Sequence, residues 1–342
     1  MIKVITLAVA FLVAAPVHAQ EASGDYGHGP LHMVLRSTTD MAIMRPAMQA
    51  FVRANPDLTL RYEQWGSNAL TAKTQAECQS GTASADAVFS SAVHQLVELV
   101  NSACAQSYRS DLTAGLPASR NWRDELWGLT HEAAVIAYNR AMVGVDDAPH
   151  TRFALLDLMR RGDPAYRGKI ATYDIEASGL GYLFAFADSQ EATTFGSLLE
   201  GFARSDAVAT CCSAEILQGV ADGQYLIAYN VLGSYVPDGL DSRIGVIMPE
   251  DYTLFLSRAF MIPKGAPRPR FAARLLDFLL SAEGQRILTE NGLIVQRDSD
   301  QNSLPESAER PIRIEPSLLV ARDQHQQARF IAQWRQTFSE AP

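Results

Sequence analysis

The residues able to do chemistry are mostly hydroxyls, and they fall in clusters at positions where a strand gives way to a helix. Ser37, Thr38 and Thr39 follow an apolar run that starts at Leu31. Trp65 and Ser67 follow the alternating run Leu58–Tyr62, and Ser90 and Ser91 follow Ala83–Phe89. Ser178 and Gly179 lie in DIEASGLG, residues 174–181, ahead of the apolar residues from Tyr182 on. Hydroxyls at a helix start sit beside unpaired backbone N–H groups and the positive end of the helix dipole, a combination that holds small anions without a buried counter-charge. The same residues are also ordinary helix caps. Glu132 adds an acceptor for sugar hydroxyls or an amine. Tyr229 and Asn230 close another apolar strand, and Trp65 and Tyr229 offer flat apolar faces. Arg258 is either a ligand cation or half of a structural ion pair.

Catalytic patterns do not emerge. Ser178 lacks the flanking glycines of a nucleophile elbow, and the Gly179/Gly181 pair lacks the Lys-Ser/Thr of a phosphate loop. His131-Glu132 is a dipeptide rather than a zinc-binding helix motif. A non-enzyme with neither metal nor cofactor is therefore expected.

The elements that would position these residues alternate in type. Strands at Leu31–Leu35, Leu58–Tyr62 and Ala83–Phe89 are each followed by a helical stripe, such as Ile43, Ala47 and Phe51, or Val93, Val97, Val100 and Cys104. This β/α/β pattern predicts a doubly wound α/β sheet, which collects ligands at the carboxyl ends of its strands. In WGLTHEAAVIAYN, residues 127–139, a polar lead enters a short apolar run. That arrangement suits a hinge facing a cleft, or an ordinary central strand. A second half of the same kind follows, with strands at Lys169–Tyr173, Tyr225–Tyr229 and Arg243–Met248. Phe330, Trp334 and Phe338 make a packing stripe on a last helix. Gln20–Gly29 reads as a disordered lead, and residues 296–311 read as loop.

The chain has 342 residues, 47% hydrophobic and 20% charged, with a formal net charge of -9. That suffices for two lobes of roughly 150 residues each. The acidic balance argues against nucleic acid and anionic membranes as partners. Lys3, the apolar run Ile5–Ala15 and Val17-His18-Ala19 spell a secretory signal cleaved near Ala19, hence an exported periplasmic protein. Cys78, Cys104, Cys211 and Cys212 match no metal spacing. Buried thiols are the expectation, with a Cys78–Cys104 bridge as the alternative that an oxidising compartment permits.

The segments ADAVFSSAVHQLVELV (85–100), ELWGLTHEAAVIAYN (125–139), KIATYDIEASGLGYL (169–183), YLIAYNVLGSYV (225–236) and LSRAFMIPKGAPRP (256–269) occur in that order. With them the chain resembles periplasmic solute-binding proteins of ABC uptake systems, family 1, in the branch that includes ferric-iron binders. The resemblance implies a type 2 periplasmic-binding-protein fold, two doubly wound lobes around a ligand cleft. Residues 30–130 with 255–342 would form the first lobe and residues 131–254 the second. It also implies a monomer that delivers its ligand to an ABC permease or a membrane sensor kinase. Ferric binders of this branch carry adjacent tyrosines where this chain reads Tyr229-Asn230-Val231-Leu232. The missing pair turns the expectation from iron to a small organic anion: a phosphosugar, phosphoglycerate or phosphonate.

Overall fold

The structure is a computed structural model that describes residues 20–191, 193–236, 243–295 and 304–339. The expected signal sequence, residues 1–19, lies outside the described residues. No described helix is long and apolar enough to cross a membrane.

Two seven-stranded mixed sheets organise the described chain. In the first, the spatial order is Gln20–Tyr26, Leu58–Trp65, Leu31–Ser37, Ala87–Ser90, Ala259–Met261, Leu126–Gly128 and Asn121–Trp122. Leu31–Ser37 runs parallel to both Leu58–Trp65 and Ala87–Ser90. Each of these three strands feeds a helix: Met41–Ala54, Ser67–Ser80 or Val93–Asn101. Met41–Ala54 buries Met44, Ala47, Met48 and Phe51, a spacing that makes one stripe of a helix, against Met33, Leu35 and Leu60 of the sheet. Pro46 lies in its second turn, where a missing N–H costs the helix a backbone bond.

In the second sheet the order is Glu309–Pro311, Thr253–Leu256, Glu132–Asn139, Ile227–Leu232, Ile170–Tyr173 and Val208–Thr210. The seventh strand, Ile244–Ile247, pairs with the far half of Glu132–Asn139. Glu132–Asn139 is buried at every position, so its near-continuous apolar run reads as a central strand covered on both faces.

The chain passes between the sheets at two adjacent places. Leu126–Gly128 belongs to the first sheet and Glu132–Asn139 to the second, so residues 129–131 cross outward. Thr253–Leu256 belongs to the second and Ala259–Met261 to the first, so Ser257 and Arg258 cross back. The sequence reading placed everything after residue 254 in the first lobe. Here strand Glu309–Pro311 pairs in the second sheet. Phe330, Trp334 and Phe338 of the final helix stack on Tyr182, Phe195 and Phe202, also of the second lobe, and on one another.

Several local expectations are corrected. Gln20–Tyr26 is an edge strand, antiparallel to Leu58–Trp65, not a disordered lead; its alternating exposure matches the period of a strand with one face covered. Trp65 ends a strand rather than sitting in a loop, and part of the expected 296–311 loop is the strand Glu309–Pro311. The four cysteines are disulfides, not thiols: Cys78 with Cys104, and Cys211 with its neighbour Cys212.

Candidate functional site

The carboxyl ends of the parallel strands in both sheets face one cleft. Its cavity volume is about 70 Å³. From the first lobe it is lined by Glu21, Thr38, Asp40, Trp65, Gly66, Ser67 and Ser91. From the second come Tyr173, Ala177, Ser178, Leu180, Cys211, Cys212, Ser213 and Tyr235.

Four helices begin at this cleft, those starting after Asp40, Gly66, Ser178 and Cys212, while Ser91 lines it just ahead of helix Val93–Asn101, whose own start is buried. Asp40 and Cys212 do not cap their own helices, and Gly66 has no side chain to do so, but Gln64 Oε1 accepts from the Met41 N–H at 2.9 Å, which leaves the starts at Gly66 and Cys212 without a side-chain cap. Ser178 does cap its own helix, accepting from the Gly181 N–H at 3.0 Å, and its O–H proton remains to donate. Thr38 lies 3.1 Å from the Ser91 hydroxyl and accepts from the Ser91 N–H, which ties two strand ends together. Trp65 is fixed from behind. Its indole N–H donates to Glu63 at 3.2 Å, and the Arg36 guanidinium lies 5.5 Å from its ring centre while pairing with Glu63 and Glu77.

No cationic side chain is among the lining residues, whereas two carboxylates, Glu21 and Asp40, are. Burial raises the Asp40 carboxyl above its ordinary range, against the pull of Arg258. Burial also pushes the Tyr235 phenol up to about 12, and the Tyr173 phenol well up as well. Both phenols therefore stay protonated at neutral pH. Tyr173 hydrogen-bonds Ser213 at the start of its helix.

The lobes touch across the mouth. Asn68 donates to the carbonyls of Glu176 at 2.8 Å and Ala177 at 3.2 Å, and the Gly179 N–H donates to Ser67 Oγ at 2.8 Å. A Cβ on Gly179 would stand 2.7 Å from Gln95 Nε2 and 2.9 Å from Ser67 Oγ, so this close approach requires glycine.

Of the residues singled out from sequence, Thr38, Trp65, Ser67, Ser91 and Ser178 line the cleft, and Gly179 stands at the lobe contact. Ser37 and Ser90 are buried just behind and accept from the N–H groups of Thr39 and Ala92. Glu132 and Arg258 pair with each other instead of opening onto the cleft. Arg258 Nε reaches Glu132 Oε1 at 2.8 Å and Nη2 reaches Oε2 at 3.1 Å, both side chains being 0% exposed. Thr130 and Ser234 donate to the same carboxylate at 2.7 and 2.6 Å, and Arg258 Nη1 donates to Thr39 at 2.9 Å. Burial works against the Arg258 charge, but Glu132 and Tyr235 more than offset it and hold the guanidinium ionised.

Tyr229 turns away from the cleft into the second lobe. Its hydroxyl donates to Asp188 at 2.5 Å, and Asp188 also takes Arg152 at 2.8 Å and Tyr252. Asn230 sits in a bulge of its strand at φ 59°, a conformation asparagine tolerates, and together with Tyr229 lines a separate small cavity against Trp334. Sequence reasoning missed Asp40, Tyr173, Ser213, Tyr235 and both cleft cysteines. Strand Val208–Thr210 is only three residues long. That is too short to stand out as a pattern, so the strand-end rule was never applied to Cys211-Cys212-Ser213.

Among the described residues no group of three or more His, Cys, Asp or Glu side chains is placed to hold a metal ion.

A match over residues 47–302 shows that the chain belongs to the bacterial extracellular solute-binding protein family. A substrate-binding protein of an ABC transporter from Agrobacterium tumefaciens is similar at 29% identity and a TM-score of 0.86, over 93% of this chain and 98% of that one. AfuA from Actinobacillus pleuropneumoniae, solved with exogenous fructose-6-phosphate bound, is similar at 16% identity and a TM-score of 0.69, over 92% and 100% of the two chains. Iron-bound HitA from Pseudomonas aeruginosa is similar at 17% identity and 0.65, over 90% and 99%. No curated protein sequence matches the chain. The fold is the two-lobed type 2 binding-protein fold expected from the sequence.

Proposed function

We propose that this chain captures a small organic anion carrying hydroxyl or amine donors, of the phosphosugar, phosphoglycerate or phosphonate kind, and hands it to an ABC permease from the periplasm. One observation carries the reading: four helix starts, two from each lobe, meet at one cleft. The positive ends of those helices, their N–H groups and the O–H groups of Ser67, Ser178 and Ser213 form a donor-rich pole. Asp40 and Glu21 form an acceptor pole suited to the ligand's hydroxyls. Trp65, held rigid by Glu63 and Arg36, supplies an apolar face. The phenols of Tyr173 and Tyr235 are kept protonated by burial; Tyr173 and Ser213 share a hydrogen bond and so offer one O–H between them, while the Tyr235 O–H faces Asp40 at 3.5 Å.

A thermal-shift screen of phosphosugars, phosphonates, simple carboxylates and ferric citrate tests this. A phosphorylated or phosphonate ligand at about 100 times its Kd should stabilise the protein by about 2.7 kcal/mol. Ser178→Ala should weaken that ligand about tenfold, the scale of one charge-assisted hydrogen bond. A shift with ferric citrate alone, or undiminished binding by Ser178→Ala, defeats the reading.

A further inference from the structure

Two adjacent cysteines give the cleft wall a chemistry that the capture of an anion does not require. Cys211 and Cys212 are joined to each other and both line the cleft, Cys212 exposed and Cys211 half-buried. They fill the turn between strand Val208–Thr210 and helix Ser213–Ala221, and Cys212 occupies the cap position of that helix without a side-chain bond to it. The other disulfide is placed differently. Cys78–Cys104 ties the end of helix Ser67–Ser80 to the segment after Val93–Asn101, Cys104 is 3% exposed, and neither residue lines the cleft.

We infer that the Cys211–Cys212 disulfide is a redox-dependent part of the ligand-binding wall: intact, it is neutral; opened by a dithiol, it sets a thiolate where the ligand's anionic group is held. The exchange balances simply. A thiolate of the dithiol attacks one cysteine sulfur, the Cys211–Cys212 bond breaks, and a mixed disulfide forms. The second thiol of the reductant then displaces the protein sulfur. The dithiol ends as a cyclic disulfide, and its two electrons and two protons end on Cys211 and Cys212. A cysteine at a helix start has its thiolate stabilised, so Cys212 is the one that ionises. The new negative charge adds to those of Asp40 and Glu21 in the lining and occupies the helix start that the anion would use. Neutral sulfur thus permits anion capture and thiolate opposes it.

The inference rests on the anion reading above, so its test has arms that do not depend on the ligand. Brief dithiothreitol treatment followed by alkylation and mass spectrometry should label Cys211 and Cys212 before Cys78 and Cys104. In Cys211→Ser, the alkylation rate of Cys212 against pH should give a pKa at least one unit below the ordinary value of about 8.5. Calorimetric titration with fructose-6-phosphate at pH 8.5, where that thiol is ionised, should then show binding at least tenfold weaker after dithiothreitol. In the Cys211→Ala/Cys212→Ala double variant, dithiothreitol should make no difference. If Cys211–Cys212 opens only together with Cys78–Cys104, or Cys212 titrates normally, or the opened protein binds as tightly as the oxidised one, the inference is overturned. Failure of the oxidised protein to bind any anion would defeat the anion reading instead, while the alkylation order and the Cys212 titration still decide this one.

Discussion

Two of the regions where the lobes meet have opposite chemistry. At the base of the cleft, where the chain crosses, the contacts are ionic and dry: Arg258 and Glu132 are 0% exposed, Arg258 donates to Glu132 and Thr39, and Thr130 and Ser234 donate to the same carboxylate. At the mouth the contacts are neutral and wetter: Asn68 with two carbonyls, and Ser67 with the Gly179 N–H. A charge in a dry interior is tolerated only with all its partners in place, so the base has one favourable arrangement. Neutral hydrogen bonds that water can replace are worth about 1 kcal/mol each, so the mouth can part and re-form. The clamp is therefore pinned where its charges are and opens where they are absent. The same division governs the ligand site, which offers hydroxyls and N–H groups while the nearest arginine is spent on Glu132.

The sharpest way to break this comparison is to remove half of the buried pair. Glu132→Ala strands Arg258 and should cost about 3–5 kcal/mol of stability, read from urea unfolding at neutral pH. Glu132→Leu combined with Arg258→Met should cost less than either change alone, because no lone charge remains. A single-variant loss below about 1 kcal/mol would mean that the base is not the pin.

Between base and mouth lies His94, which sharpens the comparison by titration. It is 0% exposed on the first-lobe helix Val93–Asn101, stacks on Tyr182 of the second lobe at 5.6 Å, and neither ring nitrogen has a hydrogen-bond partner. Burial, helped by Arg322, lowers it from 6.5 to about 3. The unfolded chain then takes up a proton below about pH 6.5 that the folded chain refuses, so stability is complete above that pH and falls as pH drops toward 3. Between pH 7.5 and 5 this one residue should cost about 2 kcal/mol, since the slope approaches 1.36 kcal/mol per unit below pH 6.5. His94→Phe, followed by urea midpoints at pH 7.5 and 5, should remove that increment. An unchanged pH dependence would place the acid sensitivity elsewhere.

How much of this was legible in the sequence follows from what each residue answers to. The strand-end hydroxyls Thr38, Ser67, Ser91 and Ser178 were legible because local pattern decides them: a strand, a polar turn, then an amphipathic helix. The crossing segment was legible for the same reason, since Gly128–His131 interrupt two apolar runs. Glu132 and Arg258 were located, but their pairing was not, because it joins residues 126 apart in sequence. Tyr229 was misassigned for a related cause. In a central strand alternate residues face opposite ways, and Tyr229 shares the face of Ile227, away from that of Ala228, before the bulge at Asn230 shifts the register. The cleft cysteines were hidden because a strand of three residues has no period to detect.

The smallest expected effect probes the mouth itself. Asn68→Ala removes the donors to Glu176 and Ala177 and leaves Gln95 Nε2 without the Asn68 acceptor it now meets at 2.7 Å. The two carbonyl contacts are exposed, so water takes them over when the lobes part, while the buried Gln95 amide loses an acceptor. The free energy of unfolding should therefore fall by about 1 kcal/mol, well short of Glu132→Ala. Closure itself should weaken by about 1 kcal/mol, which raises the open fraction and lowers ligand affinity about fivefold, since only the closed form engages ligand from both lobes. Small-angle scattering without ligand should give a larger radius of gyration for the variant, and added ligand should return it to the wild-type closed value. If Asn68→Ala unfolds as easily as Glu132→Ala, or scatters and binds like wild type, the mouth and the base are not distinct in the way argued here.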